Sequence, residues 1–184
     1  DNIVLNDIID GNLSLIEMLN TLLNYSQITK NLPPPTLLNT KDIVDNVIEK
    51  VVAEEKCNDI DIINNINLFN VTAHENLIEI LFYYLIKSIL LYRNVNDKTY
   101  INIYAEIVSG ISIYKIASND LIVSNNFISD AFNLFENVNI TEHYNSNLVL
   151  LAACKKIVTF YKGNIEIYKA KTNGIEIGFT LNFK

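Results

Sequence analysis

The chain has 184 residues, 49% of them hydrophobic, and a formal net charge of −7 at pH 7. That length holds one domain with a real core, or one domain and an extension. The acidic balance, with no basic stripe, argues against nucleic acid as the main partner, because neutralising phosphates takes clustered Lys and Arg.

Residues 3 to 28 carry Leu5, Ile9, Leu13, Ile16, Leu19 and Leu23 at steps of three and four, which predicts a long helix. Ile8, Leu15 and Leu22 widen its apolar stripe, as in a helix that packs on more than one neighbour. A bundle or dimer contact accounts for that width, and so does packing on the chain's own sheet. Pro33-Pro34-Pro35 then forces an extended connector. The expected organisation is a dimerisation-type helix over 1–32, a linker over 33–39 and a second domain over 40–184.

Asn39 or Thr40 can cap a helix over about 41–55, with Ile43, Val44, Val47, Ile48, Val51 and Val52 on one face. Glu49, Glu54 and Glu55 read as solvated. Ile60 and Ile62 alternate with Asp59 and Asp61 in a short strand, and 66–71 is a candidate for another. Thr72-Ala73-His74-Glu75 fits a capping box for a helix running to about Tyr92. Leu77, Ile80, Leu81, Tyr84, Leu85 and Ile89 form its apolar face.

Strands are predicted over 100–108 and 111–117, joined near Ser109-Gly110 as a hairpin. Residues 118–145 are polar and weakly patterned, with a short helix expected around 127–136. A loop this long is a lid, a binding loop or a mobile segment. Leu148, Leu151, Ala152, Ile157, Val158 and Tyr161 mark the last helix, with Gly163 placed for a left-handed turn at its end. Alternation resumes at Ile165 and Ile167, then at Ile175, Ile177, Phe179, Leu181 and Phe183, around an Asn173-Gly174 turn signal. The fold class is therefore α+β. It is a two-layer α/β sandwich with helices on one face of a mixed, mostly antiparallel sheet, preceded by a long N-terminal helix.

Cys57 and Cys154 stand far apart with no ligand spacing, which fits free thiols in a reducing, cytoplasmic compartment. No run of about 18 apolar residues is present to span a membrane. The sequence begins at Asp1 rather than Met, so a further segment is expected upstream.

From residue 40 to 183 this order of elements resembles the GHKL-type ATPase domain of histidine kinases. Residues 3–30 resemble the second helix of the dimerisation hairpin that precedes that domain, including the run Leu19-Asn20-Thr21-Leu22-Leu23-Asn24-Tyr25-Ser26. The resemblance implies three nucleotide motifs, and each departs from the pattern here. Where the family has an Asn-Ala pair whose Asn helps hold Mg²⁺, this chain has Lys87-Ser88; an ammonium has no lone pair to give a metal. Where the family has Asp-x-Gly-x-Gly, with the Asp receiving adenine, the segment runs Ser118, Asn119, Asp120, Leu121, Ile122. Where it has Gly-Leu-Gly-Leu as a phosphate cradle at a helix start, the chain has Leu148-Val149-Leu150-Leu151.

The positions corresponding to that nucleotide site are thus Lys87, Ser118, Asp120, Ile122, Leu148 and Leu150. His74 opens a helix and reads as part of its cap, and His143 reads as a solvated loop residue beside Glu142 and Tyr144. No Ser-His-Asp set, paired carboxylates or Cys/His cluster stands out, so no catalytic residue, metal or cofactor is assigned. The resemblance implies a degenerate two-component signalling protein without ATP binding. Such a protein is a scaffold, or a histidine phosphotransferase whose His lies upstream. Its expected partners are a second copy, through the N-terminal helix, and a response-regulator receiver domain. The alternatives are a divergent active kinase or ATPase and a small-molecule sensor using the same pocket.

Overall fold

Asn39 opens the first long helix: its backbone is extended, and its side chain accepts from the Lys41 amide at 3.1 Å. That bond satisfies a donor which the helix leaves free. The helix, α1, spans Thr40–Glu55 and ends where Lys56 turns left-handed at φ 49. Two further long helices among the described residues are α2, Glu75–Leu91, and α3, Ser146–Phe160. The strands are β1 Thr36–Asn39, β2 Ile60–Asn64, β3 Asn70–Ala73, β4 Thr99–Val108, β5 Ile111–Ser118, β6 Ile165–Lys169 and β7 Ile175–Leu181. The computed structural model describes residues 19–20, 22–56, 59–67, 70–119, 131–132, 146–170 and 174–183.

Five strands form one sheet in the order β2-β4-β5-β7-β6, and β1 pairs with β3 in a separate ribbon. Among the described residues only β2–β4 is parallel within the larger sheet. Alternation sends Ile101, Ile103, Tyr114, Ile116, Ile177 and Phe179 to one face, where all are buried. On the other face Tyr100 and Tyr168 stay exposed, and Lys115 pairs with Glu106 at 3.4 Å. α2 packs against both α1 and α3, which is why its apolar surface is so wide. Leu77, Ile78, Leu81, Phe82, Leu85 and Ile86 are all fully buried. Phe82 meets Tyr114 and Phe179 edge-on at 5.7 and 5.6 Å, while those two rings stack at 5.2 Å. This aromatic cluster joins the helix layer to the sheet.

The two-layer α+β architecture agrees with the sequence reading, and several local expectations are corrected. The capping box does not form. Thr72 is held extended in β3 opposite Leu37, so α2 starts only at Glu75, too late for Glu75 to reach back. His74 occupies the N-cap position but makes no side-chain cap bond. The second short strand falls at Asn70–Ala73, and the stretch after the prolines ends in β1. Glu55 is not solvated: it sits between Lys87 and Arg93.

At the end of α3 the left-handed residue is Lys162, φ 54, not Gly163. Gly163 donates to Val158 O at 2.9 Å and Lys162 to Thr159 O at 2.9 Å, the paired bonds of a Schellman ending. Glycine is required at 163 for another reason: a Cβ there would lie 1.7 Å from Thr180 O. Residues 19–20 and 22–27 are helical as expected, while the rest of the N-terminal helix and nearly all of 127–136 fall outside the described residues.

Candidate functional site

Of the positions singled out in the sequence, Lys87, Ser88 and Ser118 lie at element ends within the described residues. Lys87 and Ser88 lie near the C-terminal end of α2. The chain then turns through residues 92–98 and enters β4 at Thr99. Ser118 closes β5, in register with Ile101 of β4 and Ile175 of β7. Thr99 lies two residues before Ile101 on the same inward face, diagonal to Ser118. The helix end and the strand ends therefore meet at the same edge of the core.

Lys87 points across to α1. Its Nζ lies 2.7 Å from Glu55 Oε1 and 3.5 Å from Glu54 Oε2. Arg93 reaches Glu55 Oε2 at 3.3 Å, and Tyr83 donates its hydroxyl to Glu54 at 2.7 Å. The hydrogen bond from Lys87 holds the Glu55 carboxyl below its ordinary value, although burial opposes this. For Lys87 burial alone would lower the pKa, but the bonds and charges of Glu55 and Glu54 outweigh it and raise the value. All three donors of an ammonium favour such acceptors, and none can bind a cation.

Ser118 is buried and its hydroxyl has no partner among the described residues; the same holds for Ser88 and Thr99. Unmet buried hydroxyls are uncommon, because each carries a desolvation cost of about 1–3 kcal/mol. Leu148 and Leu150 follow Ser146, the first residue of α3, by two and four positions. Their backbone therefore lies inside the opening turns of a helix and not in an open loop ahead of it. Leu150 is half-buried; the Leu148 side chain, Asp120, Ile122 and His143 lie outside the described residues.

His74 sits at the other end of α2. Its backbone N–H donates to Tyr161 Oη at 2.9 Å, and its Nδ1 lies 2.9 Å from the same oxygen. The imidazole also meets Phe160 edge-on at 5.6 Å. His74 thus ties the start of α2 to the end of α3, a role that only the tertiary pairing reveals. An open groove of about 350 Å³ beside it is lined by Pro33, Pro34, His74, Glu75 and Glu79 among others, far along α2 from Ser88. Among the described residues no group of His, Cys, Asp and Glu could hold a metal, and no helix is long and apolar enough to cross a membrane.

Solved structures superpose on nearly this whole arrangement. The Acinetobacter baumannii histidine kinase AdeS matches 100% of this chain and 86% of its own length, at TM-score 0.70 and 18% identity. The chain has the fold of a histidine kinase ATPase domain. A mycobacterial sensor histidine kinase, MprB, aligns over 80% of this chain and 96% of its own, at TM-score 0.64 and 15% identity. Full-length ShkA, solved in complex with AMPPNP, aligns over 95% of this chain and 37% of its own, at TM-score 0.71 and 15% identity. No protein-family profile and no curated protein matches the sequence. At these identities the likeness to histidine kinases is one of fold.

Proposed function

We propose that this chain is a degenerate histidine-kinase-like signalling protein that does not bind ATP. It acts as a docking scaffold or as a histidine phosphotransferase whose phosphoacceptor lies outside these 184 residues. The observation that carries the reading is the ion pair of Lys87 with Glu55. In the family resemblance Lys87 stands where an Asn holds Mg²⁺. Here that side chain is a cation whose donors go to two α1 carboxylates. A serine hydroxyl at 118 and a helical backbone at 148–150 support the same reading at the adenine and phosphate positions. The exposed Leu19 and Leu23 of the N-terminal helix support a homodimer, and a receiver domain is the matching partner. The test is equilibrium dialysis of the chain against labelled Mg-ATP. No label should be retained with the chain, and saturable retention would overturn the reading.

A second reading, a small-molecule sensor, is favoured by the hydroxyls of Ser88, Thr99 and Ser118, which are buried and without a partner among the described residues. A small polar ligand at that end of the core would supply their missing partners. A thermal-shift screen against a metabolite panel tests it: a hit lost in Ser118→Ala supports the sensor, and a panel without hits removes it.

A further inference from the structure

The face of α3 that carries Val149, Ala152 and Lys156 is covered by the chain's own N-terminal segment. Val149, between Leu148 and Leu150, is buried together with Ala152, and Tyr25 packs against both. One turn further along α3, Lys156 Nζ lies 2.6 Å from Tyr25 O and 3.1 Å from Ser26 O. The same ammonium sits 4.6 Å from the centre of the Tyr25 ring. Burial lowers the Lys156 pKa, and the charge of Lys30 adds to this.

Each of these contacts has a separate physical basis. Residues 22–27 are helical and are followed by a turn in which Lys30 N donates to Gln27 O at 2.8 Å. The carbonyls of Tyr25 and Ser26 belong to the last turn of that helix, where no N–H of the helix itself can meet them. A cation there satisfies them and sits at the negative end of the helix dipole. The ring of Tyr25 adds a cation–π contact and an apolar surface for Val149 and Ala152. Ile28 and Leu32 continue the contact into the main core, while Leu19 and Leu23 stay exposed on the opposite side.

We infer that α3 is an intramolecular docking site for residues 22–32, closed by a clasp between Lys156, the Tyr25 ring and the carbonyls of Tyr25 and Ser26. Val149 and Ala152 give the Tyr25 ring an apolar ledge. The clasp fixes the N-terminal helix on the ATPase-like fold and presents Leu19 and Leu23 outward in one orientation. This deepens the scaffold reading, because a fixed presenting face is what a docking module requires. It nevertheless stands or falls separately from nucleotide binding.

The chain has no tryptophan, so Tyr25→Trp places one fluorophore in the clasp. In the full chain the indole should emit blue-shifted and resist acrylamide. Adding Lys156→Met should raise quenching several-fold with the far-UV circular dichroism unchanged. Quenching as fast as that of free indole in the first variant, or no change on adding the second, overturns the clasp. Hydrogen exchange covers a misfit of the larger ring, using the otherwise unaltered chain. Amides of 22–28 should exchange faster in Lys156→Met than in wild type, and equal rates overturn the inference.

Discussion

Lys87 Nζ lies 2.7 Å from Glu55 Oε1, so the ammonium on α2 is committed to a carboxylate at the end of α1. Both side chains are about one-fifth exposed, and Arg93 shares the same carboxylate. Glu55→Gln would leave two cations facing each other and should cost about 1–2 kcal/mol, less than a fully buried pair because water still reaches it. The folded Glu55 pKa lies below the ordinary value of 4.5, so the pair's contribution is complete above that value. It is lost as pH falls through the depressed folded value. Urea midpoints measured from neutral pH downward should therefore fall more steeply in wild type than in Glu55→Gln once the pH drops below 4.5.

Two glycines should respond differently to the same substitution. A Cβ at Gly163 would meet Thr180 O at 1.7 Å, and that oxygen is backbone in the sheet. Gly163→Ala should cost about 3 kcal/mol, since neither α3 nor β7 can retreat without losing packing. Gly110, at φ 79 in the β4–β5 turn, has nothing within 4 Å of an added Cβ. Gly110→Ala should cost only the left-handed strain of about 1–2 kcal/mol. Thermal or urea denaturation of the two variants gives the ordering.

Cys154 is fully buried on α3, and its thiol lies 3.8 Å from Leu81 O. Burial pushes its pKa far above the ordinary thiol value, so little thiolate forms at neutral pH. In a Cys57→Ser background the native chain should resist a maleimide, and labelling should appear only on unfolding. Rapid native labelling would show that α3 opens far more readily than its packing implies.

The sheet and the long helices were legible because their patterns are local. Alternation at Ile175, Ile177 and Phe179 and the broad stripe of α2 each declare a buried face without reference to distant residues. What escaped the sequence depends on partners far along the chain. β1 is four residues behind three prolines, with Leu37 exposed, and becomes a strand only by pairing with β3. The same pairing holds Thr72 out of the capping box. Glu55 read as solvated because Lys87 and Arg93 lie more than thirty residues away. His74 read as a cap because nothing local points to Tyr161. At the candidate site the sequence showed which residue types differ from those the resemblance implies. It did not show that Lys87 would turn to α1, nor that Val149 would lie under Tyr25.

Calorimetric titration of the full chain with Mg-ATP reads whether Lys87, Ser118 and the start of α3 hold a magnesium–nucleotide complex. The heats should be indistinguishable from dilution, with Lys87 paired to Glu55. A saturable isotherm with micromolar affinity, weakened by added chelator, would contradict the proposed function.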